Sequence, residues 1–297
     1  MVDRVLVTLD GAIRDLDEPL LYADDIGLLR GDGIFETVLL RDGKACALEL
    51  HLARLRRSAE ALDLPEPDLG RWRRAVELAA KEWGTEQEGT LRMVFTRGRD
   101  TEPPTSYGGP GGTSFVLVVP VPERVNKARA EGISVITLAR GTSIELAPTA
   151  PWLLLGAKTL SYATNMAALR FAARNHADDV IFTSPEHRVL EGPRSTVVIQ
   201  RDEKLITPPV RNGVLPGITQ RALFAEAGKA GWDCRYEPCF VADLITADSV
   251  WLLSSVTLAA RVASLDGLRM SAPERAAEIP ELVDRGISRL WSLTDWK

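Results

Sequence analysis

Lys158 stands in the stretch LLLGAKTLSYATNMAALR (153–170), between the apolar run 152–155 and a segment whose apolar residues Tyr162, Met166 and Leu169 recur at helical spacing. That context predicts a buried strand-to-helix junction, where desolvation depresses a lysine's pKa and leaves a neutral amine able to attack a carbonyl. A lysine capping a strand end is the commoner case, so the assignment depends on what accompanies it. Glu191, in VLEGPRS, lies just past a turn shaped by Gly192 and Pro193, where a carboxylate can accept a hydrogen bond from a protonated ring nitrogen. Pro216 and Gly217 precede a helical pattern and leave the amides of Ile218 and Thr219 unpaired with the helix dipole behind them. Such a terminus takes an anion, or Thr219 serves as a plain cap. In 253–257 a buried strand ends in hydroxyls, bringing Ser255, Val256 and their amides to one end of a sheet, as an anion-binding turn or as ordinary turn packing.

The elements that must position these residues follow from periodicity. RVLVTL (4–9) is a strand, and GIFETVLLRDGKACAL (33–48) gives two strands joined at Asp42 and Gly43. LELHLARLRRSAEAL (48–62) is a helix with Leu48, Leu52, Leu55, Ala59 and Leu62 on one face and His51, Arg54 and Ser58 beside it. A second helix spans 69–83, and strands follow at 91–97 and after the loop 100–114, whose GGPGG lacks the lysine and hydroxyl ending of a phosphate loop. The proline- and charge-rich stretch 119–132 marks a boundary between an N-terminal domain (1–122) and a C-terminal domain (132–297), with 123–131 as the linker. Beyond it strands at 133–140, 178–184, 195–200 and 249–256 alternate with helices at 160–176 and 217–231, and 273–290 is helical.

At 297 residues, 45% hydrophobic and 26% charged, the chain has the composition of a globular protein with a sizeable core. A net charge of -5 gives no footprint for nucleic acid, and the arginines at 54, 56 and 57 are interleaved with leucines in a helix. Cys46, Cys234 and Cys239 have no metal-ligand spacing, and the absence of a signal-like segment predicts a cytoplasmic protein. No apolar run approaches the roughly 20 residues of a membrane span.

An amine for an aldehyde, an acid for a pyridine nitrogen and amides for a phosphate are together the requirements of pyridoxal 5'-phosphate. In order and wording the chain resembles the class IV aminotransferases, the fold type IV pyridoxal phosphate family. The similar segments are GDGIFET (31–37), HLARLRRSA (51–59), the lysine stretch, VLEGPRSTVVI, LITPP, GVLPGIT and SLDG (264–267). The resemblance implies an α/β (α+β) protein with a small N-terminal α/β domain, a larger C-terminal domain on a barrel-like sheet, cofactor between them, and a homodimer completing each pocket. It implies Lys158 as the Schiff-base lysine and Glu191 as partner of the pyridine nitrogen. Arg54, Ile218, Thr219, Ser255 and Val256 become phosphate ligands.

The departures fall on the substrate side. Branched-chain enzymes carry a tyrosine five residues after the lysine; Ala163 holds that place here and Tyr162 lies one earlier, on a different helix face. No pair in the loop 98–107 matches the arginine and histidine of D-amino acid enzymes, so Arg92, Arg97 and Arg194 are the cations available for substrate carboxylates. Within the family, KTLSYATNMAALR and VLEGPRSTVVI are similar to actinobacterial aminodeoxychorismate lyases, which implies conversion of 4-amino-4-deoxychorismate to 4-aminobenzoate and pyruvate for folate synthesis. The alternatives are transamination of D-amino or branched-chain amino acids, both activities in one site, or a cofactor-free binding protein. Retention of lysine, glutamate and both phosphate segments speaks against the last.

Overall fold

Asp42 and Gly43 both adopt left-handed backbone conformations (φ 51° and 69°), the geometry of a two-residue hairpin turn whose twist matches that of the strands it joins. They link β3 (Gly33–Arg41) to the short β4 (Lys44–Ala45), with Leu40 opposite Ala45. In the computed structural model, which describes residues 3–100 and 112–289, this hairpin forms one edge of a six-stranded antiparallel sheet. The order is β2 (Ile13–Arg14), β1 (Val5–Thr8), β6 (Ser114–Pro120), β5 (Gly89–Thr96), β3, β4. Most of the loop expected at 100–114, with its GGPGG, lies outside the described residues.

The chain divides into two compact units, one comprising the residues up to Val121 with Ala157–Tyr162, the other Pro122–Gly156 with Ala163–Arg289. In the first, α1 (Ile26–Arg30) precedes β3, and α2 (Leu48–Ala61) and α3 (Leu69–Trp83) cover one face of the sheet. The limits of α3 are local: the Asp68 carboxylate accepts from the Arg71 amide at 2.9 Å, and Gly84 ends the helix at φ 82°. Leu52, Leu55, Trp72, Val76, Leu91 and Met93 are fully buried in this layer, each contributing on the order of 1.5–3 kcal/mol.

The second unit is built on an eight-stranded mixed sheet, with the path β11 (Asp233–Tyr236), β10 (Lys204–Thr207), β9 (Thr196–Arg201), β12 (Ser249–Ser254), β13 (Leu258–Leu265), β7 (Ile133–Ala139), β8 (Asp179–Thr183). β14 (Leu268–Arg269) pairs with β13. β13, β7 and β8 run parallel, the central part of the sheet antiparallel. Its helices are α4 (Glu123–Glu131), α5 (Ala163–Arg174), α6 (Ile218–Lys229), α7 (Val241–Ile245) and α8 (Glu278–Arg289). Both sheets curl into half-barrels, in line with the barrel-like sheet expected. No helix among the described residues is long and apolar enough to cross a membrane.

Two sequence expectations give way. Residues 123–131, read as a linker, form α4 and belong to the second unit; Pro122 precedes the helix and Gly132 (φ 83°) stops it, while Val125 is its only fully buried residue. The apolar run 152–155 is not a buried strand. It starts in a single 3₁₀ turn (Pro151–Leu153) and runs into a turn at 155–156, and Trp152 is 75% exposed.

Candidate active site

Lys158 lies in an extended segment that pairs with the first half of β3, the part β4 leaves open. Its carbonyl accepts from the Phe35 amide at 3.2 Å, Thr159 bridges Ile34, and the Leu160 amide donates to the Gly33 carbonyl at 2.8 Å. Gly33 permits this approach, since a Cβ there would meet Leu160 Cδ1 at 2.8 Å and the Phe95 carbonyl at 2.7 Å. The Lys158 amide donates to Ser58 Oγ of α2 at 3.1 Å, so both backbone groups of the lysine are held within the first unit. Lys158 is half-buried, and its Nζ sits 4.4 Å from the centroid of the Phe35 ring, against which Tyr162 packs edge-on.

Behind Lys158, on the helical side of the same sheet, Glu36 is completely buried and receives Arg54 Nε at 2.7 Å and Nη2 at 2.8 Å, with His51 Nδ1 at 2.7 Å. Burial alone would raise the Glu36 pKa; the charge of Arg54 and the hydrogen bonds from Arg54 and His51 hold it well below the usual carboxylate range. Burial pushes the His51 pKa down against the pull of Glu36, and the cations Arg54 and Lys158 add to the depression. His51 is therefore a neutral ring donating from Nδ1 to an ionised carboxylate. Arg54 is thus oriented by a residue of the GDGIFET segment that sequence reasoning left without a role.

The substrate-side arginines separate. Arg97 is buried, its guanidinium donating to both Asp32 oxygens and to the carbonyls of Leu62 (2.6 Å) and Asp63 (3.1 Å). It pins the chain together and drops out as a substrate ligand. Arg92 is exposed on β5 opposite Thr37, two positions along from Phe35, and so shares the sheet face that carries the lysine amine. It has no ion-pair partner among the described residues. Arg194, in the second unit, is 3.6 Å from Asp179, whose pKa burial raises despite that arginine.

In the second unit the remaining candidates meet at one end of the sheet. Glu191 is half-buried; its Oε2 accepts from the Leu215 amide at 3.0 Å and its carbonyl from the Phe182 amide at 2.9 Å. Two residues after Leu215, Gly217 caps α6 with no side chain to satisfy the first-turn amides, and a Cβ there would lie 2.3 Å from Thr196 Oγ1. Thr219 is buried and its Oγ1 has no hydrogen-bond partner among the described residues, as is true of Ser195 Oγ beside Gly192. Thr196 pairs with Leu253, which brings the turn holding Ser255 and Val256 to the same sheet end. Arg129 of α4 braces that turn, donating to the carbonyls of Val256 (2.6 Å) and Thr257 (3.3 Å). Ser195, Thr196 and Arg129 were not singled out from sequence; the hydroxyl pair after GPR was the available signal for the first two.

Comparison with known proteins places this geometry in a lineage. A bifunctional aminodeoxychorismate lyase / D-amino acid transaminase of Mycobacterium tuberculosis is 52% identical over 292 residues, 95% of this chain and 99% of that protein. A hypothetical aminotransferase from the same organism, solved in a PLP-bound form, superposes with a TM-score of 0.92 at 52% identity over 97% of this chain and 99% of its own. A fold IV transaminase from Curtobacterium pusillum gives 0.88 at 38% identity over 96% and 98%. The family described as amino-transferase class IV matches residues 33–265, from the first strand beside Lys158 to the end of β13, and this chain belongs to it.

Proposed function

We propose that the chain is a pyridoxal 5'-phosphate-dependent aminodeoxychorismate lyase that also transaminates D-amino acids. The observation that supports this most is the near full-length identity of 52% to the mycobacterial protein bearing both activities in its name. The residues present fit the cofactor. Buried Thr219 Oγ1 and Ser195 Oγ lack partners, and a buried hydroxyl left so costs about 1–3 kcal/mol unless a ligand meets it. An uncapped helix terminus beside them is suited to a phosphate.

When bound, pyridoxal phosphate supplies an electron sink for the carbanion left as a proton leaves the substrate. Lys158 would hold the aldehyde end of the cofactor, and its amine is the base that would take the proton from the substrate's ring C4. Because Ser58 and Phe35 fix its backbone, the amine moves from a set pivot. Glu191, with one carboxylate oxygen held by the Leu215 amide, would accept the pyridine N–H. Ile218, Thr219, Ser255, Val256 and Arg54 would receive the phosphate. Arg92 is the first cation for a substrate carboxylate, Arg194 the second, and Tyr162 lies on the substrate side. Loss of the enolpyruvyl side chain as pyruvate then aromatises the ring to 4-aminobenzoate, the precursor for folate.

A homodimer is part of the proposal, supported by exposed apolar side chains such as Tyr22, Leu28 and Leu29 in the first unit and Trp152 in the second. The cytoplasm is the proposed compartment, supported by cysteines that form no disulfide among the described residues, with burial pushing the thiols of Cys234 and Cys239 up to about 11 and about 12. The deciding assay supplies 4-amino-4-deoxychorismate without any keto acid, and separately D-alanine with 2-oxoglutarate. Release of 4-aminobenzoate in the first is expected; efficient transamination with no detectable 4-aminobenzoate would overturn the lyase assignment.

A further inference from the structure

The loop that carries Glu191 is held by a closed circuit of contacts inside the second unit. Asn165, in the first turn of α5, donates from Nδ2 to the Pro193 carbonyl at 2.8 Å and accepts at Oδ1 from Arg140 Nη1 at 2.7 Å. The Arg140 guanidinium lies 4.7 Å from the centroid of the Phe182 ring, and its backbone amide donates to the Thr183 carbonyl at 2.8 Å. Phe182 in turn donates its amide to the carbonyl of Glu191, and two peptide bonds return from Glu191 to Pro193. Within the circuit the turn is tight: the Gly192 amide donates to the Ser195 carbonyl at 2.9 Å, and a Cβ on Gly192 would come within 2.3 Å of Ser195 Oγ.

We infer that Asn165 is a positioning residue for Glu191, with Arg140 holding it in the working orientation. A side-chain amide donates and accepts at once, which this place between a carbonyl and a guanidinium requires; a carboxylate or an alkyl group of the same size does one or neither. A carboxylate that must meet a ring nitrogen in one direction needs a fixed backbone, since a misplacement of about 1 Å can cost on the order of a hundredfold in rate. The Leu215 amide fixes one oxygen of Glu191, and the circuit fixes the backbone from the Glu191 carbonyl to that of Pro193. The inference rests on Glu191 being the partner of the pyridine nitrogen.

The test loads the full-length protein with pyridoxal phosphate labelled with ¹⁵N in the ring and reads the nitrogen's chemical shift, which reports its protonation. Glu191→Gln sets the position of the signal when the carboxylate is lost. Asn165→Leu is expected to move the signal a substantial part of the way there, with cofactor affinity changed less than about threefold, because the phosphate contacts are untouched. Arg140→Met, which frees Asn165 without altering Pro193 or Glu191, should move it in the same direction, and Arg140→Lys should restore most of it. This pair decides the matter if Asn165→Leu fails to fold. A signal at the wild-type position in both Asn165→Leu and Arg140→Met, while Glu191→Gln shifts, would overturn the role of Asn165 alone. A signal unmoved by Glu191→Gln would remove Glu191's assignment, and the positioning role with it.

Discussion

Two buried polar clusters, one in each unit, are built in opposite ways. In the first, Glu36, Arg54 and His51 are almost wholly removed from water yet satisfy one another, carboxylate against guanidinium and imidazole. In the second, around Glu191 and the start of α6, the hydroxyls of Ser195 and Thr219 have no partner among the described residues and the helix cap has no side chain. A self-satisfied cluster holds its members, Arg54 among them, in one orientation, and a cluster with unmet donors makes a receptor. Lys158 is tied to the first region through its backbone, and its amine packs over Phe35 while its charge still reaches His51.

That contrast can be broken by substitution. Lys158→Ala should lower turnover by about four orders of magnitude, the upper range for losing a proton-transferring group, while some cofactor still binds through its phosphate. Glu36→Gln should cost about 3–5 kcal/mol in urea unfolding, because Arg54 is left buried without its counter-charge. The double variant Glu36→Gln with Arg54→Met should recover a large part of that loss, and simple additivity would mean the two do not act as a pair. Glu191→Gln belongs to the other region: kcat should fall on the order of a hundredfold with unfolding unaffected, and a native rate would make Glu191 a turn residue only. Thr219→Val should leave the cofactor-free protein as stable as wild type or more so, yet weaken cofactor binding about tenfold. A loss of stability without loss of affinity would reverse the contrast.

The smallest expected effect is a pH dependence. The unfolded chain protonates His51 near its ordinary value of 6.5, whereas the folded chain holds that pKa lower. The stability this confers is present above pH 6.5 and is lost as pH falls toward the folded value, at no more than about 1.4 kcal/mol per unit. Glu36, also depressed, adds a loss of the same sign below its ordinary 4.5. Melting temperature followed from pH 7.5 to 5 should decline, and less so in His51→Gln. A profile identical in both proteins would place the acid sensitivity elsewhere.

Much of this arrangement was legible in the chain. Helical spacing put His51, Arg54 and Ser58 on one face of α2, and all three are buried there. The Asp42–Gly43 turn and the limits of α3 followed from local chemistry. What stayed hidden depends on pairing across distance. Nothing local to Glu36 says that Arg54 and His51 will reach it, and the parallel alignment of β13, β7 and β8 has no residue signature. The helix at 123–131 was masked because its apolar face is nearly absent, although a preceding proline and a following glycine marked its ends. Arg97 looked like a free cation because the carbonyls that engage it, on Leu62 and Asp63, are far away in sequence.

The central claim is that the lysine braced by Ser58 and Phe35 is the one that carries the cofactor. Borohydride reduction of the loaded protein, followed by proteolysis and peptide mapping, tests it directly. The account predicts a single pyridoxyl label, on Lys158. A label on any other lysine would contradict it.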